Sequence, residues 1–257
     1  MDPREYPILE HDPDRKVLID PSQLVPKLDV PEHCLIPFYL KVIKRLEKKG
    51  VLRKITQETS QVTPPLPLYE TTHEGKRLAV MTPGLTAPFA AGILEFAIAT
   101  GCKKFIAFGS CGVLDKTIEK GKLIIPTAAI RDEGTSYHYI PPSREITADP
   151  TVVDVIKKGL IARKIEFIEG KTWTTDGIYR ETPEKIKRRK KEGAITVEME
   201  AAALFAVAKF RNTPLGFLLA GGDDVSGIEW DTRNFAKESV KVLEKFFWLA
   251  AEICLKL

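Results

Sequence analysis

The sequence predicts an α/β fold with a mixed central sheet and helices on both faces, and three observations carry that reading. Short apolar runs alternate with segments whose apolar residues recur every three or four positions. Some strands follow one another through tight turns, which adds antiparallel pairs to a sheet otherwise built by crossovers. The 257 residues are 44% hydrophobic and 29% charged, enough for a sizeable core and typical of a globular chain. No repeat or linker marks an internal boundary. One domain over 34–257, preceded by a proline- and acid-rich arm at 1–33, is therefore expected.

Taken in order, Cys34–Pro37 is a short apolar strand. Tyr39–Lys49 reads as a helix, with Leu40, Ile43 and Leu46 on one face and Gly50 to stop it. Val51–Thr56, Leu66–Thr71 and Arg77–Met81 alternate as strands, with turns at Thr63–Pro67 and His73–Gly75. Ala87–Thr100 is a helix ended by Gly101, and Lys104–Phe108 is a strand leading into Gly109-Ser-Cys-Gly112. Leu123–Ile125 is a buried strand. Asp149 caps a helix that runs to Arg163, with Pro150 in its first turn. Ile165–Trp173 is a strand, and Pro183 opens a lysine-rich helix. Val197–Phe210 reads as an alanine-rich helix, Leu215–Ala220 as a strand ending in Gly221-Gly-Asp-Asp224, and Thr232–Leu257 as a long terminal helix.

Composition excludes several function classes. The net charge of +4 is local: six of the seven residues 185–191 are basic, and the rest of the chain is slightly acidic. A lysine-dense helix face is ordinarily solvated, so no nucleic-acid partner is expected. The four cysteines have no CxxC spacing, which argues against a zinc site or disulfide framework and for a reducing compartment. The N-terminus lacks the apolar core of a signal peptide, and no apolar run is long enough to span a bilayer. A soluble cytoplasmic protein without membrane contact is expected.

Three features fall at carboxyl ends of strands, where ligands gather in α/β sheets. Gly109–Gly112 reads either as a tight turn or as a loop whose amides and Ser110 hydroxyl receive an anion. It is neither a Walker loop nor GxGxxG, so nucleoside triphosphates and dinucleotides lose support. Val197-Glu-Met-Glu200 places two acids in an apolar stretch. They either compensate a helix dipole or grip vicinal sugar hydroxyls, which a carboxylate can hold in pairs. Met199 would give the sugar an apolar face. Asp223-Asp224 is either a solvated turn, a metal ligand pair or a general acid.

The order of these features resembles the nucleoside phosphorylase-I family, which includes hexameric purine nucleoside phosphorylases, uridine phosphorylases and methylthioadenosine nucleosidases. The likeness spans about 34–257 and is carried by Phe105–Gly112, Arg131–His138, Thr174–Tyr179 and Val197–Ala203. It implies a three-layer α/β/α domain and cleavage of a nucleoside N-glycosidic bond by phosphate, with no cofactor besides that co-substrate. By the same likeness Ser110 meets phosphate. Cys111 and Gly112 lie beside the base. Val197, Met199 and the neighbouring Glu198 and Ile178 line base and ribose. Glu200 binds the ribose hydroxyls, and Asp223 protonates or hydrogen-bonds N7 of a purine. Uridine phosphorylases are apolar at the last position and carry Gln and Arg where this chain has Thr182 and Glu184, which favours a purine. The leaving base then takes a proton from Asp223, while Glu200 steadies an oxocarbenium-like sugar.

The chain also departs from the family pattern. Phe38-Tyr39 stands where a Gly-Asp-x-x-Arg segment is expected, and Ala107 stands where an arginine precedes the glycine loop. Gly84, Gly109, Ser110, Arg131, His138 and Arg180, with Arg144 beside them, are the remaining candidates for an anion site. With that cradle altered, two alternatives stay open: a nucleosidase that uses water, and a nucleoside-binding relative without activity. The likeness further implies a homo-oligomer, a dimer or a trimer of dimers.

Overall fold

A computed structural model describes residues 4–25, 28–58 and 65–257. Among these residues ten strands form one mixed sheet: β1 (His33–Pro37), β2 (Arg53–Glu58), β3 (Leu66–His73), β4 (Lys76–Met81), β5 (Lys104–Val113), β6 (Leu123–Asp132), β7 (Glu145–Thr147), β8 (Phe167–Thr175), β9 (Ala194–Glu198) and β10 (Leu215–Asp224). Six α-helices accompany them among the described residues: α1 (Leu40–Lys48), α2 (Ala87–Thr100), α3 (Pro150–Ala162), α4 (Pro183–Lys191), α5 (Ala201–Arg211) and α6 (Val240–Cys254). The predicted mixed α/β domain is what forms.

The strand order is β10-β6-β8-β9-β5-β1-β4-β3-β2, and β10 also pairs with β5. Strands β5, β10, β6, β8 and β9 thus close on themselves, while β1, β4, β3 and β2 extend from β5 as an open wing. Central pairs such as β1–β5 and β10–β5 are parallel. The wing pairs β2–β3 and β3–β4 are antiparallel. Helices α1, α3 and α6 pack together in one layer, and α2 packs on α5 in another. Phe108 of β5 meets Phe246 and Phe247 of α6 edge-on, at 5.1 and 6.1 Å between ring centroids. Gly159 lets α3 approach α6 closely: a Cβ there would stand 2.7 Å from Ile253 Cγ1.

Several boundaries differ from expectation. Gly109–Gly112 is not a loop. It continues β5, because Gly109–Cys111 pair with Leu219–Gly221 of β10 and Gly112 pairs with Val197 of β9. Likewise Val197 and Glu198 end a strand and do not open a helix; α5 begins only after Glu200. Asp223 and Asp224 belong to β10, after a register shift beyond Gly221. β6 runs seven residues past Ile125, and the terminal helix starts at Val240, where Ser239 accepts the N–H of Lys241. The turn read at 63–67 begins outside the described residues, and Leu66 and Pro67 open β3. The short β7, unread in the sequence, pairs with β6.

In the arm, Pro7–Leu9 and Pro21–Gln23 form single 3-10 turns. The segment lies against the body of the domain: the Arg15 guanidinium sits 5.3 Å from the Phe210 ring centroid, and Val30 packs over Gly101. Among the described residues no helix is long and apolar enough to cross a membrane.

Candidate active site

The end of β5 brings three segments together. Gly112 is flanked by β9 and by the end of β10: a Cβ on it would lie 2.9 Å from Val197 Cγ1 and 3.8 Å from Asp223 Oδ1. Side chains predicted to surround a base, Cys111, Val197 and Asp223, therefore meet around bare backbone at Gly112. Cys111 is buried beside Asp223 and Glu198, and its Sγ contacts the Ala220 carbonyl at 3.6 Å. Burial, then the charges of Glu198 and Asp223, push its thiol up, so it is held neutral. Asp223 Oδ2 accepts from Trp230 Nε1 at 2.6 Å. Asp224, its neighbour, points elsewhere. It is bound by Arg233 Nη2 at 2.6 Å and by the Ser226 amide at 2.8 Å. Burial alone would raise its carboxyl, but the Ser226 bonds and the Arg233 charge hold it below the ordinary range. The two acids read as a pair in the sequence thus have separate tasks.

The other pair also divides. Glu198 accepts from the amides of Glu200 and Ala201 at 2.7 and 2.6 Å and from Thr174 and Thr172 hydroxyls at 2.6 and 3.3 Å. It caps the start of α5 from inside the sheet and so positions Glu200. Glu200 is 4% exposed, and its Oε1 accepts the Thr86 amide at 2.8 Å. Burial, then the charge of Glu198, raise the Glu200 carboxyl. With four donors on Glu198, the charge settles there first. Thr86 holds its side of this bond at φ 96° and ψ 150°, a region that only glycine occupies without strain. Met199 is buried between the two glutamates in sequence.

Glu181 was not picked out in the sequence. It follows a 3-10 turn, Ile178–Arg180, and lies close enough to Asp223 to feel its charge. Burial, then Asp223, raise its carboxyl to about 7. Its sequence signal is its place between Tyr179 and positions 182 and 184, where the family likeness alone suggests base contacts. Ile178 and Tyr179 themselves are exposed.

Ser110 turns away from Gly112 toward a cavity of about 890 Å³, which Phe38, Tyr39, Lys41 and Lys120 also line. Its hydroxyl bonds the half-buried Tyr39 phenol, whose titration desolvation drives far upward. Ala107 is fully buried, Phe38 stacks on Phe217 at 5.7 Å, and its Cβ covers Gly109. Aromatic side chains thus fill the space next to the altered positions.

The cations proposed from sequence are not gathered at Ser110. Arg131 is buried and spends its guanidinium on Ser136 Oγ, the Pro141 carbonyl and Ser143 Oγ, at 2.8, 2.8 and 2.7 Å, while stacking on Tyr137. It organises its own loop. His138 and Arg180 are exposed on 3-10 turns, and Arg144 pairs with Glu192. Gly84 is covered by the Phe89 ring, 2.1 Å from where a Cβ would stand. The basic helix is not simply a solvated face. Arg189 is buried, bonds Asp132 at 2.9 Å and lies over Trp173, which is fully buried and bonds the same Asp132 oxygen at 3.0 Å. Among the described residues no group of three or more His, Cys, Asp or Glu is placed to hold a metal ion.

Comparison with known proteins follows this geometry. The sequence profile of the phosphorylase superfamily matches residues 41–252. A guanosine phosphorylase of Halorubrum lacusprofundi is 26% identical over 66% of this chain and 73% of its own length. A uridine phosphorylase of Treponema pallidum is 30% identical over 65% of this chain and 73% of its own. The crystal structure of a purine nucleoside phosphorylase from Toxoplasma gondii shares the fold with a TM-score of 0.72 at 18% identity, covering 95% of this chain and 97% of that one.

Proposed function

This chain belongs to the phosphorylase superfamily, whose profile spans most of its length, and we propose that within it the protein cleaves the N-glycosidic bond of a purine-type nucleoside with phosphate, giving free base and sugar 1-phosphate. The observation that carries the reading is the convergence of Asp223, Val197 and Gly112 on one side and of Glu200 behind the same strand end on the other. A polar edge for the base and a buried carboxylate for the sugar are what this bond cleavage requires.

Chemically, the base leaves as nitrogen gains a proton or a strong hydrogen bond. Asp223 supplies it, oriented by Trp230. Glu181, its carboxyl raised to about 7, can refill Asp223 with a proton near neutral pH. The sugar flattens and gains positive charge. Glu200 holds its hydroxyls and stabilises that charge from a buried position. Phosphate is received by the Ser110 hydroxyl, with Lys41 and Lys120 lining the same cavity.

A second reading has its own observation. Ala107 is fully buried and Phe38 half-buried in apolar packing where relatives are expected to hold an anion, and Arg131 is committed to its loop. That arrangement favours water as the nucleophile. Base release from inosine, guanosine, adenosine and uridine, with and without phosphate, tests both. Release that requires phosphate supports the first reading, and equal release without it moves the assignment to a nucleosidase. Release from uridine alone removes the role given to Asp223, and no release from any removes both readings.

A further inference from the structure

We propose that the outer face of α4 is a docking surface for single-stranded RNA, with phosphates along Lys187, Arg188, Lys190 and Lys191 and an unpaired base on Tyr179. The inference is independent of the nucleoside-cleaving reading and adds a macromolecular partner. By composition alone this run reads as a solvated face; the fold gives it a different character.

At 3.6 residues per turn the four cationic positions share one sector of the helix, about 160° wide. All four are exposed. On the opposite side Ile186 and Arg189 are buried. Arg189 is bound to Asp132 at 2.9 Å and lies over the Trp173 ring. Thr182 caps the start of the helix by accepting the Lys185 amide. The helix is thus fastened to the domain along its inner side. Its outer charges stand at set spacings before any partner arrives.

Surface cations elsewhere have carboxylates to meet. Arg45 and Lys49 share Glu244, and Arg163 and Lys256 share Glu252. On α4, Lys187, Arg188 and Lys191 make no ion pair or hydrogen bond among the described residues. Lys190 stands within electrostatic reach of Asp115, whose carboxylate is already bonded to Thr117. Glu192, just past the helix, is spent on Arg144 and Arg189. Lys187 faces Lys190 and Lys191, and Arg188 faces Lys191, at the i,i+3 and i,i+4 spacings where like charges repel. Cations do suit the last turn of a helix, but Arg189 already serves there. A polyanion laid on this face would turn the remaining repulsion into attraction.

The surroundings select the kind of polyanion. No large apolar side chain stands among the four cations, so the helix lacks what anchors it in a bilayer. Ahead of the helix, Tyr179 is 94% exposed on a 3-10 turn, with exposed Arg180 beside it. An acidic peptide has no use for that ring. An unpaired base stacks on it, whereas the bases of a duplex are already stacked on one another.

Fluorescence anisotropy with a labelled, unpaired RNA dodecamer tests the surface. Four neutralised phosphates give a log–log salt slope of about −3, a loss of about 50-fold between roughly 50 and 200 mM salt. Lys187→Gln, Arg188→Gln, Lys190→Gln and Lys191→Gln together are expected to remove about that much affinity at the lower salt and to flatten the slope. The melting temperature should not fall below the parent's, because like charges are removed. Lys187→Gln with Lys191→Gln alone should take away about half of the slope. Tyr179→Ala is expected to weaken binding about 10-fold and leave the slope as it was. No binding at the lower salt, binding that survives neutralisation, or Tyr179→Ala without effect overturns the proposal. So does equal or tighter binding of a duplex of the same length, of a polyglutamate peptide or of phosphatidylserine vesicles.

Discussion

The amide of Thr86 points at Glu200 Oε1 from 2.8 Å, and it does so from a backbone conformation that costs a β-branched residue dearly. That bond ties the segment before α2 to the start of α5, 114 residues later. Strain kept at such a point marks a position where the surroundings dictate geometry. Thr86→Gly is expected to relieve it and raise stability by about 1 kcal/mol, the strain released less the entropy glycine adds to the unfolded chain. Thr86→Ala, which keeps the strain, should not gain. Urea unfolding of the three proteins decides; a loss on Thr86→Gly would mean that the side chain, and not the backbone, matters.

Glu200 and Glu198 should separate in their effects. Glu200→Gln removes the charge that we propose faces the sugar and is expected to lower kcat by about 100-fold with little change in melting temperature. Glu198→Ala leaves four buried donors without an acceptor and is expected to cost about 3 kcal/mol or more. Because burial and Glu198 raise the Glu200 carboxyl, activity should climb with pH on the acid side and only level off above the ordinary carboxylate range. A profile already flat at pH 5 would contradict the charged role.

Much of this was legible in the sequence, and the reasons for the misses are specific. The 14 residues of α2 stood out because Gly101 ends them cleanly, and α3 because Asp149 caps it with bonds to the Thr151 and Val152 amides. Period and cap agree there. Gly109–Gly112 and Gly221–Gly222 misled because glycine signals a turn in isolation, whereas here it permits close strand contact. Likewise Val197–Glu198 looked helical because the alanines that follow share its apolar character; only pairing with Gly112 and Thr174 makes it a strand. Asp223, Val197 and Gly112, named from their order and from the family likeness, do come together in the fold, because β5, β9 and β10 end side by side. Glu181 was missed because its role depends on a neighbour 42 residues away, which no local pattern displays.

Glu181 also gives a stability signature. Its folded carboxyl is raised to about 7 from an ordinary 4.5, so between those values the folded state binds the extra proton. Stability is then full below pH 4.5 and falls as pH rises through 7. Glu181→Gln should abolish this fall. The variant should match the parent near pH 4 and exceed it at pH 8 by about 1–3 kcal/mol. Denaturant melts at the two pH values measure it, and an unchanged pH slope would place Glu181 in solvent.

Arg233 holds Asp224 and also reaches the Ile118 carbonyl at 2.6 Å. Removing it leaves a partly buried carboxylate without its counter-charge. Arg233→Ala is expected to destabilise by about 2–3 kcal/mol, and Arg233→Ala combined with Asp224→Asn by less than the sum of the single changes. Additive losses in this double-mutant cycle would show that the two side chains do not act together.

The closure of β5, β10, β6, β8 and β9 has a further outcome for how copies of the chain meet one another. A ring of strands offers no row of open backbone donors and acceptors for a stranger to join, so the wing is where that hazard concentrates. Its outermost strand, β2, reads Arg53-Lys-Ile-Thr-Gln-Glu58, with a salt bridge from Arg53 to Glu70 at 2.5 Å and an irregularity between Lys54 and Thr56. Charge and a broken register are the means by which natural sheets discourage fibril growth. The closed half of the molecule is thereby free to carry glycine-rich, apolar strands that would be sticky anywhere else.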